Sequence, residues 1–121
     1  MSDQQRLRAH LESTGYEAAD GSLFMATFPV DDDRTQVVWV DVADEITLAS
    51  PILQGVDATL PEWLVEQDFG RYRLAAHPPF ATVMLTLPPN PSEELFAHEA
   101  ALIAQYADSW EKAITPDRDL L

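Results

Sequence analysis

From Ser22 onward the apolar residues fall into a period of two: Phe24, Ala26, Phe28 and Val30 alternate with Leu23, Met25 and Thr27. That period belongs to a strand with two different faces, so the segment is expected to be a first strand ending near Pro29. The run from Thr35 to Val42 repeats it, and Ile46, Leu48 and Ile52 continue it after the turn signal VADEI. Asp31, Asp32 and Asp33 stand between the first two runs and suit a chain reversal, because they tolerate turn geometry and solvent. The three runs therefore predict an antiparallel meander. Pro51 has no N–H for a ladder, which marks the end of the third strand as an edge or a bulge and places a loop at 53–58. After Gly70, Tyr72, Leu74 and Ala76 alternate against Arg71 and Arg73. Val83, Leu85 and Leu87 then alternate against Thr82, Met84 and Thr86, with HPPF as the hairpin connection.

Three segments carry helix signals instead. Ser2 and Gln5 have capping-box spacing and Gly15 suits a C-terminal left-handed residue, so a helix is expected over about 3–14, with Leu7 and Leu11 as a narrow apolar strip. Thr59, Pro61 and Glu62 open a short second helix in TLPEWLVEQD, with Trp63 and Leu64 as its apolar side. Asn90 as N-cap, Pro91 at the first helical position and Glu93 at the third begin a long helix that ends before Pro116. Its stripe is Phe96, Ile103, Ala107, Trp110 and Ile114. The order is α-β-β-β-α-β-β-α, an α+β chain read as a single domain over 1–121, with 116–121 expected to fray.

Composition narrows the function. With 121 residues, 46% hydrophobic and 23% charged, the chain is an ordinary folded domain. The 21 Asp and Glu against 7 Lys and Arg leave a net charge of -14, which disfavours binding to nucleic acid or to anionic membranes. There is no cysteine, which removes disulfides, thiolate nucleophiles and Cys-based zinc sites. MSDQQRLRAHLE lacks the apolar segment of a signal peptide, and no apolar run reaches the ~20 residues of a membrane span. The cytoplasm is the expected compartment.

Candidate chemistry is thin. DDDRTQ lacks the D-x-D-x-D-G pattern and distant bidentate Glu of a calcium loop. Asp41, on the parity of Trp39, with Asp44 and Glu45 suggests a glycosidase-like carboxylate pair only if something fixes their separation, and solvated strand ends explain them as well. Among His10, His77 and His98, the HEAAL at 98–102 lacks the second His of a zinc-protease helix, and Glu94 with His98 reads as an exposed helix pair. Ser22, Ser50, Ser92 and Ser109 have no G-x-S-x-G context, and four glycines form no phosphate loop. No catalytic set, metal site or cofactor is expected; a metal-dependent hydrolase using Asp31 to Asp33 or Asp41 is the least favoured reading.

The element order, with EWLVEQDFG, GRYRLAAHPPFATVMLTLP and the helix end YADSWEKAIT, resembles the secretion-chaperone-like fold of bacterial type III secretion chaperones and YbjN-domain proteins. That resemblance covers nearly the whole chain. It implies a twisted antiparallel sheet with the first and last helices packed on one face, a homodimer, and a protein-binding rather than catalytic role. If helices cover one face, the alternation places Phe24, Phe28, Val38, Val40, Ile46, Leu48, Leu74, Val83 and Leu85 there as core.

The opposite face then holds Leu23, Met25, Val37, Trp39 and Met84 among Thr27, Thr35, Thr47, Thr82 and Thr86. That is more apolar than a solvated face, and these five are the candidate partner-binding residues. The alternative is that the register differs and they are core. Trp63 and Leu64 either pack inside the domain or, by the resemblance, join a dimer contact. The expected function is a non-catalytic, chaperone- or adaptor-like module that dimerises and binds a protein client on its sheet. The alternative is an acidic inhibitor or immunity-type protein that blocks a basic enzyme.

Overall fold

The alternating runs become strands whose side chains are sorted by register. The computed structural model describes residues 3–31, 34–88 and 90–114. Its elements are α1 (Asp3–Ser13), β1 (Glu17–Asp20), β2 (Leu23–Asp31), β3 (Arg34–Val42), β4 (Ile46–Gln54), α2 (Glu62–Val65), β5 (Arg73–His77), β6 (Phe80–Leu87) and α3 (Glu93–Ile114). All six strands join one antiparallel sheet in the order β1-β2-β3-β4-β6-β5. The architecture is the expected α+β arrangement with one strand more than the sequence pattern predicts.

The additional strand is β1, four residues without a β-branched or aromatic side chain. Its propensity for a strand is low, and its place depends on pairing with β2, Glu17 opposite Met25 and Ala18 opposite Phe24. Gly21, at φ +51°, turns the chain between them. Asp20-Gly21 is a recognised hairpin dipeptide, the one local signal that could have disclosed β1.

Helix α1 ends as expected: Gly15 adopts φ +94° and the Tyr16 N–H reaches back to the Leu11 carbonyl at 3.0 Å, the outer bond of a Schellman cap. Ser2 lies outside the described residues. α1 is tied to the sheet by Arg8, which donates to the Val42 carbonyl at 3.1 Å and lies over the Phe24 ring. The start of α3 differs from expectation. Ser92, not Asn90, is the cap: its hydroxyl accepts the Leu95 N–H at 3.0 Å, while Asn90 turns the chain at φ +54°.

β4 runs to Gln54, so the loop expected at 53–58 starts two residues later. Pro51 occupies a central strand, and the register slips beside it between Pro51 and Leu53. Side chains hold β3 and β4 together where their backbone ladder stops: the buried Ser50 hydroxyl donates to the Val37 carbonyl at 2.6 Å, and the Gln36 amide donates to the Pro51 carbonyl at 2.7 Å. Missing proline chemistry is thus replaced by side-chain hydrogen bonds.

On the helix-covered face Phe24, Val38, Val40, Val42, Ile46, Leu48 and Val83 meet Leu11 of α1 and Phe96, Ile103 and Ala107 of α3 in one core. Phe28, Leu74, Leu85, Trp110 and Ile114 pack against it. Each residue assigned to this face by alternation is therefore in the core or against it. The chain between β4 and β5 closes its side: Leu64, Phe69 and Tyr72 are buried, with Phe69 stacked on Trp110 and Tyr72 on Tyr106, both ring pairs 4.6 Å apart.

The buried flank of α3 also carries acids. Glu99, Asp108 and Glu111 are nearly inaccessible, and arginine answers each of them. Arg71 grips Glu99 through both terminal guanidinium nitrogens, at 2.6 and 3.2 Å. Arg34 lies 2.8 Å from Asp108 and 3.1 Å from Glu111, and Lys112 bridges Asp31 at 2.7 Å and Asp108 at 3.4 Å. The Asp31 carboxylate holds Lys112 protonated above the usual lysine range. The ends of β2 and β3 are thereby fastened to the last turns of α3.

Candidate partner-binding face

Directly opposed residues in an antiparallel pair share a face, so the registers define the uncovered side of the sheet. Met25 opposes Trp39, Trp39 opposes Ala49, and Ala49 opposes Met84. Leu23 opposes Asp41 and Thr27 opposes Val37 in flanking rows. All five residues singled out from alternation, Leu23, Met25, Val37, Trp39 and Met84, therefore occupy one face. Trp39, Leu23, Met25 and Met84 are half-buried, whereas Val37 is 5% exposed and so largely covered within that face.

A shallow pocket of about 350 Å³ opens on this surface. Leu23, Trp39, Ala49 and Met84 line it together with Phe80 and the Pro78–Pro79 tip of the β5–β6 hairpin. The Phe80 ring lies 5.6 Å from that of Trp39, tilted by 47°. The hairpin tip is braced from the other side, since the Gly55 and Val56 N–H groups both donate to the Pro79 carbonyl at 2.8 and 3.0 Å. HPPF, expected only as a connection, thus supplies a wall; its phenylalanine was the available signal, because turns rarely need one.

Three polar side chains, Asp41, Thr47 and His77, border the apolar lining. Asp41 accepts the Ser22 hydroxyl at 2.5 Å and is exposed. His77 Nε2 sits 3.3 Å from the Met84 sulfur. Asp41 shares the face of Trp39, as its parity predicts, whereas Asp44 and Glu45 lie in the turn before β4. The lining thus combines an apolar floor with a polar margin.

The remaining candidates separate in space. Leu64 is 0% exposed and belongs to the core, while its neighbour Trp63 is 49% exposed. The four-residue helix turns Leu64 into the core and leaves Trp63, about 100° round the axis, outside; Leu64 is withdrawn from any dimer contact and of the two only Trp63 remains on the surface. Thr59 does not cap α2, whose N-cap is Pro61; the Thr59 N–H instead bonds Asp57 at 2.8 Å. Asp31 pairs with Lys112, and Asp32 and Asp33 lie outside the described residues, as does 116–121. Among the described residues no group of three or more His, Asp or Glu is placed to hold a metal ion.

A larger cleft of about 700 Å³ lies between α1, the β3–β4 turn and the start of α3. Its lining includes Arg6, His10, Asp44, Glu45 and Glu93, with His10 Nδ1 3.5 Å from Glu93. Leu7, Ile46, Leu87 and Pro91 join the lining beside these charged groups. Among the described residues no helix is long and apolar enough to cross a membrane. Comparison with protein-family models, curated proteins and solved structures finds no match.

Proposed function

We propose that the chain is a non-catalytic protein-binding module, chaperone- or adaptor-like and dimeric, that holds a protein segment on the uncovered face of its sheet in the cytoplasm. The observation that carries this reading is the transverse row Met25, Trp39, Ala49, Met84, with Phe80 over its middle. A core that is already closed on the helix side has no folding use for a tryptophan and two methionines on the other. Trp and Met also adapt well to a partner's side chains. The sequence likeness to secretion-chaperone-like and YbjN-type proteins points the same way, and the acidic field of the chain would favour basic segments.

The test is affinity capture from native lysate with mass spectrometry, run with the wild-type chain and Trp39→Asp in parallel. A dominant protein lost in Trp39→Asp, with circular dichroism and melting retained, is the expected result. Capture that persists in Trp39→Asp but disappears at high salt would favour the acidic-inhibitor reading, for which the net charge of -14 speaks.

A further inference from the structure

The row across the uncovered face continues to both sheet edges. Glu17 opposes Met25 at one end, and Arg73 opposes Met84 at the other. From edge to edge it reads Glu17, Met25, Trp39, Ala49, Met84, Arg73, with its midpoint between Trp39 and Ala49. Glu17 and Arg73 are both exposed. Five strand spacings of ~4.8 Å separate them by about 24 Å, so they cannot pair within one chain.

A second copy turned over about a two-fold axis along the strands, through that midpoint, meets this row in reverse. The bulky Trp39 then faces the small Ala49 of the other copy, Met25 faces Met84, and Glu17 faces Arg73. The adjoining row follows the same rule: Asp41 meets Thr47, whose hydroxyl can donate to it, and Leu23 meets Thr86. A two-fold axis across the strands gives the opposite result, with Glu17 on Glu17, Arg73 on Arg73 and Trp39 on Trp39. Charge and bulk therefore choose between the two symmetric arrangements.

The dimensions also suit a dimer. The six strands hold 4, 9, 9, 9, 5 and 8 residues, which at ~3.4 Å along and ~4.8 Å across each strand make a face of roughly 700 Å² per copy. That is close to the ~800 Å² per partner of a standard stable interface. Aligned sheets pack with their strands within about 30° of each other, which an axis along the strands permits. The overall negative charge opposes association, but charges further apart than about 8 Å are largely screened at physiological salt.

We propose that a second copy of this chain covers the uncovered face about a strand-parallel two-fold axis, with Glu17 of each copy against Arg73 of the other. This rests on the reading of that face as the protein-binding surface, and it confines the dimeric state of that reading to the client-free chain, because the dimer and the bound protein segment compete for one site. The client-free chain stores its apolar face against itself, and occupation by a client releases a monomer.

Sedimentation velocity over a concentration series tests the proposal with wild type, Glu17→Arg, Arg73→Glu and the double exchange Glu17→Arg/Arg73→Glu. Both residues are exposed, so these variants should fold. The expected result is a wild-type dimer, a dissociation constant raised on the order of ten-fold in each single variant, and recovery to near wild type in the double exchange. Trp39→Asp should be monomeric. A wild-type monomer at every concentration, or a dimer indifferent to both Glu17→Arg and Trp39→Asp, would overturn the proposal; the second result would mean association elsewhere, for example at the β5 edge. The lysate capture is read separately. A client bound through Trp39 by a chain that never dimerises leaves the protein-binding reading standing and removes this one, whereas a dimer with this charge pattern and no client does the reverse.

Discussion

The two faces of this sheet are built from the same strands and differ by one residue in phase, yet they end in different states. On one face Val38, Val40, Leu48 and Val83 disappear beneath α1 and α3. On the other Leu23, Met25, Trp39 and Met84 remain half-exposed, and all of them but Met25 line a pocket. The difference teaches that hydrophobicity alone does not mark core. What separates the faces is whether the chain supplies a helix to cover them, and it places both long helices on one side.

The covered face is where substitutions should cost most. Phe96→Ala removes a fully buried ring between α3 and the sheet, and urea denaturation should show a loss of about 3–5 kcal/mol. Arg34→Met should cost about 3 kcal/mol, because it strips the guanidinium from Asp108 and Glu111, which are buried with it. A triple variant that also replaces both acids with apolar residues should regain much of that loss, which would show the charges to matter for fastening α3 rather than for net stability.

Substitutions on the open face should behave in the opposite way. Trp39→Asp should lower stability by only about 1 kcal/mol, chiefly through its contact with Phe80, while abolishing association. A collapse of the fold would erase the distinction between the faces. Trp63→Ser, although it removes a large exposed side chain, should change stability by less than about 0.5 kcal/mol.

A pH-dependent effect is expected at the margin of the core. Tyr16 packs edge-on against Phe28 and Phe96, and burial pushes its phenol up to about 12. The unfolded chain ionises this group first, so its stabilising contribution is complete below pH 10 and is lost as the pH rises through about 12. Melting temperature measured across that window should fall less steeply in Tyr16→Phe than in wild type.

Much of this was legible along the chain. Alternation assigned both faces of β2, β3 and β6 correctly, because a strand has only two sides and a one-residue error would have put Val38, Val40 and Val42 on the open face. The long helix was legible from its stripe, although its cap was assigned to Asn90 rather than Ser92, two residues with equal capping ability. β1 was not legible, since EAAD contains little that prefers a strand. The acids of α3 were hidden for a different reason. Glu99, Asp108 and Glu111 look like a solvated helix surface until Arg71 and Arg34, 28 and 74 residues from Glu99 and Asp108, arrive beside them.

The sequence by itself determined the periods, the turns and the α+β class, since each follows from backbone geometry within a few residues. Only the tertiary structure decided that β1 joins the sheet, that Leu64 is core while Trp63 is not, and that Glu17 and Arg73 end one row at opposite edges. Those facts depend on strand order and register, which bring together residues far apart in the chain, and no local pattern contains that pairing.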